Sequence, residues 1–394
     1  MTDLAKGQTL SEVTPPAVVW AVVLGAAFAL LPLMVGPLLV GEYARSLDLT
    51  EAESGTLLSL EMLGLTLGAL MLLFALRFDW RRLLYLAICL LIAGNALAAL
   101  AASFEMLTLT RFMAGLGSGI LMTLTIQVIA LMRSPDSIYG VWSVGQIAMG
   151  VLWIVLLPQL LPSIGLAGIF LLWALCGLML VFTVAHYPQG RSKEPSPQIP
   201  TVPPTGRRVG WLCLAGLVVY YAGQAGVWAF FEALGTHVGL SLEIVQNGLL
   251  LSLVAAAAGS AVAIVMGDSK GRMLPLVCSM TLSAVAIGFL QFISDVEWFF
   301  LAACLFNFAW YFFLPYISAT VAAIDDSGQF LTLLAVAFPL SLAAGPAFAS
   351  FLLGWSDSLS NVLIFGLCSV PIGISLILPA ARTASTPKDP ATTL

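Results

Sequence analysis

The sequence predicts an all-α polytopic membrane protein with twelve transmembrane helices. Hydrophobic residues make up 60% of the 394 residues and charged residues only 9%, a composition far from that of soluble proteins. The apolar residues form twelve stretches of about 20 residues or more, each long enough as a helix to cross a hydrocarbon core of roughly 30 Å. Because no water is available in that layer, the backbone of each stretch must bond to itself, which favours helices.

A proline-rich polar segment, residues 187–208, divides these stretches into six and six. We place the twelve spans at residues 16–42, 53–76, 83–104, 106–132, 137–162, 164–186, 209–236, 244–267, 273–293, 297–324, 327–355 and 359–380. The predicted organisation is an N-terminal six-helix bundle (1–186), a cytoplasmic linker (187–208), a C-terminal six-helix bundle (209–380) and a cytoplasmic tail (381–394). The prolines of the linker are typical of an extended, solvated tether.

The positions of Lys and Arg predict that both termini lie in the cytoplasm. With a cytoplasmic N-terminus, every one of the 15 Lys and Arg residues except Arg45 and Arg111 lies on the cytoplasmic side. This distribution follows the positive-inside rule. The segment before the first span has no signal-peptide pattern, so we expect that span to be retained. We expect a multi-pass protein of the cell membrane, either a plasma or an inner membrane.

No pattern in the sequence indicates an enzyme or a bound cofactor. The six cysteines all fall within spans and show neither metal-ligand nor disulfide spacing. His186 and His237 lie at opposite membrane faces, and no nucleophile–base pair is visible. A nucleotide-binding Gly-rich motif is missing too, which argues against an ATP-driven pump and favours an ion gradient. We expect a small-molecule substrate and the lipid bilayer as partners, no nucleic acid, and a monomer.

The two halves of the chain resemble each other. Gly36 precedes Glu42 by six residues at the outer end of the first span, and Gly226 precedes Glu232 by the same interval at the outer end of the seventh. Parallel six-helix repeats joined by a long linker are a known transporter layout, with the site at the repeat interface. We therefore expect two bundles related by a pseudo-two-fold axis along the membrane normal.

Two loops resemble a motif of the major facilitator superfamily. Gly267–Arg272 reads Gly-Asp-Ser-Lys-Gly-Arg, which is similar to the superfamily's loop motif, and Phe78–Arg82 is a degenerate first-half counterpart without the Gly. The chain is identified as a member of this superfamily over almost its full length. The resemblance implies a cytoplasmic gate whose helix-end contacts and ion pairs exist in one conformation and break in the other; the alternative is that these charges only set the topology. The gate residues are Asp79, Arg81, Asp268, Gly271 and Arg272.

The fourth span resembles the superfamily's pattern of an Arg followed by closely spaced glycines. Gly115 and Gly119 form a small-xxx-small face for close helix packing. Arg111 lies about five residues inside the span, roughly 8 Å deep. Because a guanidinium cannot shed its charge, Arg111 should face a cavity and have an acidic partner. Glu61 is the first candidate and Glu42 the next, either as a static structural pair or as a proton-responsive coupling site.

The resemblance implies that the first, fourth, seventh and tenth spans line a central cavity. On the seventh span, Tyr221, Gln224, Trp228 and Glu232 lie within an arc of roughly 80°. A polar face also runs along the tenth span. The alternative is a set of interfacial aromatic residues and interhelical hydrogen bonds. The substrate-binding candidates are Arg111, Ser118, Tyr221, Gln224, Trp228, Asn307, Trp310 and Tyr311.

These residues predict a secondary active transporter that works by alternating access. Indoles, phenols and amides with few charges suit a small amphipathic or aromatic organic solute. The membrane carboxylates Glu42, Glu61 and Glu232, together with Arg111, are the candidates for proton coupling. The alternatives are a multidrug/proton antiporter and a transporter-like membrane sensor or lipid flippase. The fifth span lacks the Gly-Pro pair often seen in exporters, which weakens the antiporter interpretation, and the direction of transport stays open.

Overall fold

The polypeptide forms helices throughout the part of the chain that the structure describes. The structure, a computed structural model, describes residues 15–75, 78–132, 135–188, 204–267, 271–292, 295–325 and 329–385. Its helices are α1 (Pro16–Ala29), α2 (Leu31–Met34), α3 (Gly36–Leu47), α4 (Glu51–Ala75), α5 (Trp80–Ala98), α6 (Phe104–Ala130), α7 (Pro135–Leu180), α8 (Pro204–Ala229), α9 (Phe231–His237), α10 (Leu242–Met266), α11 (Met273–Gln291), α12 (Val296–Ile324), α13 (Gln329–Ser356) and α14 (Leu359–Ser385). A 3-10 helix, Val181–His186, follows α7. Asp268, most of the predicted linker and the end of the predicted tail lie outside the described residues.

These helices make twelve membrane crossings. Among the described residues, ten helical segments are long and apolar enough to cross a membrane. One of them contains α7, whose 46 residues would extend about 69 Å as a continuous helix. That is more than twice the hydrocarbon thickness. Gly165 (φ 65°, ψ 178°) interrupts α7 one residue after the predicted start of the sixth span. With α1–α3 as the first crossing and α7 as two, the twelve-helix prediction is confirmed.

The first crossing is broken twice, although the sequence predicts one continuous helix over residues 16–42. Leu30 (φ −96°, ψ 2°) and Val35 (φ −98°, ψ 9°) leave the helical conformation between the three short helices. Each break lies two residues before a proline, Pro32 and Pro37. A proline lacks the N–H of a helical hydrogen bond and its ring clashes with the preceding turn, so helices break at such positions.

The chain divides into two compact units, Met1–Ser196 and Pro197–Leu394. In the first unit, α6 packs against α4, α5 and α1, and α7 packs against α1 and α5. In the second unit, α12 packs against α10 and α11, and α8 packs against α13 and α14. The helix α6 is therefore the central element of the first unit, and it carries Arg111.

Paired glycines bring the backbones of α4 and α6 into contact. A Cβ atom at Gly115 would meet the backbone oxygen of Glu61, and one at Gly64 would meet the backbone oxygen of Phe112. Gly68 and Gly119 make the same kind of approach one turn further along the two helices. Small residues allow such close helix packing inside a membrane. The contact places the start of the Glu61 side chain within reach of α6.

Candidate functional site

A buried ion pair lies inside the first unit. Arg111 and Glu61 are each 1% exposed at the side chain. The Nε of Arg111 donates to Oε2 of Glu61 at 3.2 Å, and Nη2 donates to Oε1. This two-pronged geometry is the strong form of an arginine–carboxylate contact. Because each charge is removed from water, each depends on the other for stabilisation.

Asn95 on α5 completes the pair. Its Oδ1 accepts a hydrogen bond from Nη1 of Arg111 at 2.9 Å, and its Nδ2 donates to the carbonyl of Leu91 at 2.8 Å. The amide is therefore held by its own helix and offers its oxygen to the guanidinium. Through its hydrogen bonds, Arg111 links its own helix, α6, to both α4 and α5.

Aromatic rings from the end of α7 lie against the guanidinium. The Cζ of Arg111 is 4.9 Å from the ring centroid of Phe170 and 5.9 Å from that of Trp173. Both distances lie within the range of a cation–π interaction, which is strongest where the cation is desolvated. These rings stabilise the positive charge of Arg111 independently of Glu61.

The first span contributes a phenol rather than a carboxylate to this region. Tyr43 is fully buried, its ring centroid lies 6.4 Å from that of Phe170, and its hydroxyl has no hydrogen-bond partner among the described residues. Glu42 instead pairs with Arg45 on the same helix at 3.1 Å and accepts a hydrogen bond from Ser46. Of the two predicted partners, the structure therefore places Glu61 against Arg111.

An aromatic cluster occupies the interior of the second unit. The ring of Tyr221 on α8 lies 4.9 Å from that of Trp310 on α12, and its hydroxyl donates to the carbonyl of Trp310 at 3.2 Å. About two turns further along α8, the ring of Trp228 stacks on that of Phe306 with 6.4 Å between the ring centroids. Gln224 lies between Tyr221 and Trp228 on the same helix. The cluster brings together three of the predicted residues, Tyr221 and Trp228 of the seventh span and Trp310 of the tenth.

Gln224 is the unusual member of this cluster. It is 1% exposed, and neither its amide nitrogen nor its amide oxygen has a hydrogen-bond partner among the described residues. Two other predicted residues of the tenth span differ from Gln224. The Nδ2 of Asn307 donates a hydrogen bond to Ser252 on α10 at 2.9 Å, and Tyr311 is partly exposed. Glu232, in the first turn of α9, is 1% exposed and therefore buried rather than hydrated.

The first predicted gate loop makes contacts within its own unit. Asp79 is the N-cap of α5 and accepts a hydrogen bond from the backbone N–H of Arg82 at 3.2 Å. The guanidinium of Arg81 donates to the carbonyls of Tyr187 at 2.9 Å and Ala185 at 2.8 Å. A cation at the last carbonyls of a helix is favoured by the helix dipole. These contacts connect the start of α5 with the end of the sixth span.

The second predicted gate loop depends on glycine. Gly267 (φ 47°) ends α10, and Gly271 (φ 67°) lies two residues before α11. Left-handed backbone of this kind favours glycine. The hydroxyl of Tyr316 donates to the carbonyl of Gly267 at 3.0 Å and fixes the end of α10. Arg272 immediately precedes α11, whereas Asp268 lies outside the described residues, so its role stays a prediction.

The sequence of this chain matches the model of the Major Facilitator Superfamily over residues 19–326. The chain belongs to the Major Facilitator Superfamily. It is a multi-pass membrane transporter rather than an enzyme. None of the curated proteins compared with the chain matches it significantly.

Solved structures of two transporters are similar to this superfamily member. The D-xylose–proton symporter superposes with a TM-score of 0.72 at 15% sequence identity, covering 96% of this chain and 99% of its own. A peptide transporter, POT, in complex with alafosfalin superposes with a TM-score of 0.73 at 11% identity, covering 94% of this chain and 95% of its own. At these identities the likeness establishes the fold of the superfamily and not the substrate.

In this superfamily member, sequence reasoning missed several neighbours of Arg111. Asn95 could have been found, because an amide inside an apolar span is costly without a partner. Phe170, Trp173 and Tyr43 carry no such signal, because aromatic residues are common throughout the spans. Only the packing of α3 against α4 and α7, and of α7 against α6, shows that these residues lie near the guanidinium.

Proposed function

We propose that this protein moves a small amphipathic or aromatic organic solute across the membrane by alternating access, driven by a proton gradient. The observation that carries the proposal is the buried pair of Glu61 and Arg111. Ionisable residues inside a membrane are costly and are typical of proton pathways. Arginine keeps its charge at every accessible pH, so the proton-binding member of the pair is Glu61.

The surroundings of Arg111 make protonation of Glu61 tolerable. When Glu61 binds a proton, its attraction for the guanidinium falls. Arg111 retains the hydrogen bond to Asn95 and the faces of Phe170 and Trp173. The cation therefore stays stabilised within its unit, while α4 loses its ionic link to α6. We propose that this change in the α4–α6 contact couples proton binding to the conformational cycle.

The substrate class is proposed from the aromatic cluster of the second unit. An unsatisfied buried amide costs free energy on both its donor and its acceptor side. A ligand with a neighbouring acceptor and donor would satisfy Gln224, and Tyr221 and Trp228 lie about one turn before and after it on α8. Binding sites commonly combine apolar walls with a few polar groups that fix orientation. This chemistry suits an aromatic or amphipathic solute with a polar edge.

The location of the protein is also part of the proposal. We propose a plasma or inner membrane, both termini in the cytoplasm, a monomer, and no cofactor besides the ion gradient. The charge distribution along the chain supports this orientation. Uptake and efflux are both compatible with the pair. In liposomes, accumulation driven by an outside-acidic gradient would indicate proton symport, and accumulation driven by an inside-acidic gradient would indicate proton antiport.

Ligand-induced thermal stabilisation tests the substrate proposal. The purified protein would be screened against aromatic acids, amines and amides, with sugars and phosphate esters as comparison classes. A ligand at about 100 times its Kd adds about 2.7 kcal/mol to the stability of the folded state. We expect stabilisation by members of the aromatic classes. Stabilisation by sugars or phosphate esters alone would contradict the proposed class.

A matched pair of variants then tests Gln224. Gln224→Leu removes the buried amide, while Gln291→Leu makes the same change at an exposed residue at the end of α11. The identified ligand should no longer stabilise Gln224→Leu at the concentration that stabilises the parent, and should stabilise Gln291→Leu normally. Full stabilisation of both variants would exclude Gln224 from the substrate site.

A further inference from the structure

A small cavity adjoins the buried ion pair of the first unit. It is lined by Glu61 on α4, Ser118 and Arg111 on α6, and Trp173 on α7, and the broken first span closes it through Phe28 and Pro32. The space open to the centre of a water-sized sphere is about 10 Å³. That volume is close to the minimum that holds one water molecule.

Residues with polar groups line this cavity, and one of those groups is unsatisfied. Trp173 is 2% exposed, and its indole N–H has no hydrogen-bond acceptor among the described residues. An indole N–H usually finds a partner when it is buried. Ser118 adds a hydroxyl, and the carboxylate of Glu61 has lone pairs beyond those that Arg111 uses. A buried water typically makes about three hydrogen bonds, and these groups supply that number.

The charges around the cavity exclude other occupants. Arg111 disfavours a cation and Glu61 disfavours an anion, because both charges are desolvated there. The volume excludes an organic molecule. A neutral molecule that both donates and accepts hydrogen bonds fits, and water is the one small enough.

We propose that this cavity binds a single water molecule that carries the proton to and from Glu61. This inference rests on the proposed function, in which Glu61 is the proton-binding group. Trp173 is a positioning residue: its N–H donates to the water oxygen, which leaves a water O–H directed at the carboxylate. Ser118 supplies a further hydrogen bond to the same water.

The transfer is a simple exchange of protons. The water donates one proton to a carboxylate oxygen of Glu61 and receives one from the next water toward solvent. One O–H bond forms on Glu61 and one breaks on the water, which ends the step unchanged. Arg111 transfers no proton and keeps its hydrogen bond to Asn95.

Few titratable groups surround Glu61 among the described residues, so a carboxyl signal can be assigned to it. Within the part of the chain that the structure describes, the charged and titratable groups that interact with it are Arg111 from α6 and the phenol of Tyr43 from α3. The helices α5 and α7 contribute neutral groups, Asn95 and Trp173. A carboxyl signal that disappears in Glu61→Gln can therefore be attributed to Glu61 itself.

Time-resolved infrared spectroscopy tests the inference without a known substrate. The protein in lipid nanodiscs would be mixed rapidly from neutral to acidic buffer, and the carbonyl band of protonated Glu61 would be followed, identified by its loss in Glu61→Gln. Trp173→Phe keeps the ring beside Arg111 and removes the N–H, and Ser118→Ala removes the hydroxyl. In each variant we expect the band to rise about fivefold more slowly, the factor for one lost hydrogen bond, with an unchanged final amplitude.

Trp153→Phe is the matched control. Trp153 packs edge-on against Trp173 at 5.5 Å but does not line the cavity, so its variant should show the rate of the parent. If Trp173→Phe does not fold, the rate measured for Ser118→Ala alone tests the water site. Parent-like rates in the folded cavity variants would overturn the water site and leave the coupling role of Glu61 standing. A parent without a Glu61 band would overturn both proposals.

Discussion

The carboxylate of Glu61 accepts two hydrogen bonds from the guanidinium of Arg111 where the backbones of α4 and α6 touch. Fifty positions separate the two residues in the chain, and the pair exists because glycines allow the two helices to approach. A buried ion pair is weak evidence for stability, because desolvation offsets much of the attraction. We therefore interpret its position as functional.

Removing Glu61 and removing Arg111 should lower the free energy of unfolding by different amounts. Glu61→Met leaves a buried guanidinium that cannot lose its charge, and the loss of a partner from a buried pair costs about 3–5 kcal/mol. Arg111→Met should cost less, because Glu61 can take up a proton and become neutral. The free energies of unfolding of both variants, and of the double variant, can be measured in detergent.

The double variant is the control for this comparison. Removing both charges should cost less than the sum of the single changes, because no lone charge remains, although Asn95 loses its donor. Additive costs of the two changes would show that the charges do not interact energetically. An equal cost for the two single variants would contradict the asymmetry.

The glycine contact between α4 and α6 gives a second prediction. Gly115→Ala places a Cβ against the backbone oxygen of Glu61, which cannot move without shifting α4. Forcing extra atoms into a packed interior typically costs about 1–3 kcal/mol. Gly140→Ala is the control in the same unit, because a Cβ there meets no atom within 4 Å. The melting temperature of Gly115→Ala should be lower than that of Gly140→Ala. Equal melting temperatures would count against the close contact.

The second predicted gate loop gives a third prediction. Gly271 has φ 67°, and a Cβ in left-handed backbone costs about 1–2 kcal/mol. Gly271→Ala should therefore lower the melting temperature. Gly288→Ala, in the following helix, meets no neighbouring atom and should be neutral or slightly stabilising, since alanine favours helix. A neutral Gly271→Ala would show that this loop does not need the left-handed conformation.

The proposed orientation gives a fourth prediction. In a background without the native cysteines, a cysteine at exposed Arg208 should react with an impermeant thiol reagent from the cytoplasm, and one at exposed Glu243 from the outside. Arg208 lies near the start of α8 and Glu243 at the start of α10, so the two positions mark opposite ends of the seventh crossing. Labelling of both from one side, or the reverse pattern, would contradict the proposed topology.

The helices were predictable from the sequence because the bilayer imposes length and apolarity on every span. The two breaks in the first crossing were not predicted, although Pro32 and Pro37 are the physical signal for them. The sequence predicts a boundary between spans ending at residue 162 and starting at residue 164, and the break at Gly165 lies next to it. Local chemistry therefore explains most of the secondary structure.

The sequence predicts a site contact only where a buried charged residue requires a partner of opposite charge. Arg111 demands a counter-charge, which led to Glu61 as the first candidate. Asn95, Phe170 and Trp173 lie on other helices, and their approach depends on tertiary packing that no spacing along the chain encodes. The matching glycines of α4 were also missed, because small-xxx-small patterns are frequent in membrane helices.

Gradient-driven accumulation by Glu61→Gln tests the central claim most directly. With an identified substrate and the protein reconstituted in liposomes, an imposed pH gradient should drive accumulation in the parent. It should also do so in Glu42→Gln, whose carboxylate pairs with Arg45 in the native chain. Glu61→Gln should lose accumulation yet keep substrate exchange without a gradient, which shows that it is folded and binds substrate. Accumulation by Glu61→Gln at the level of the parent would contradict proton coupling through Glu61.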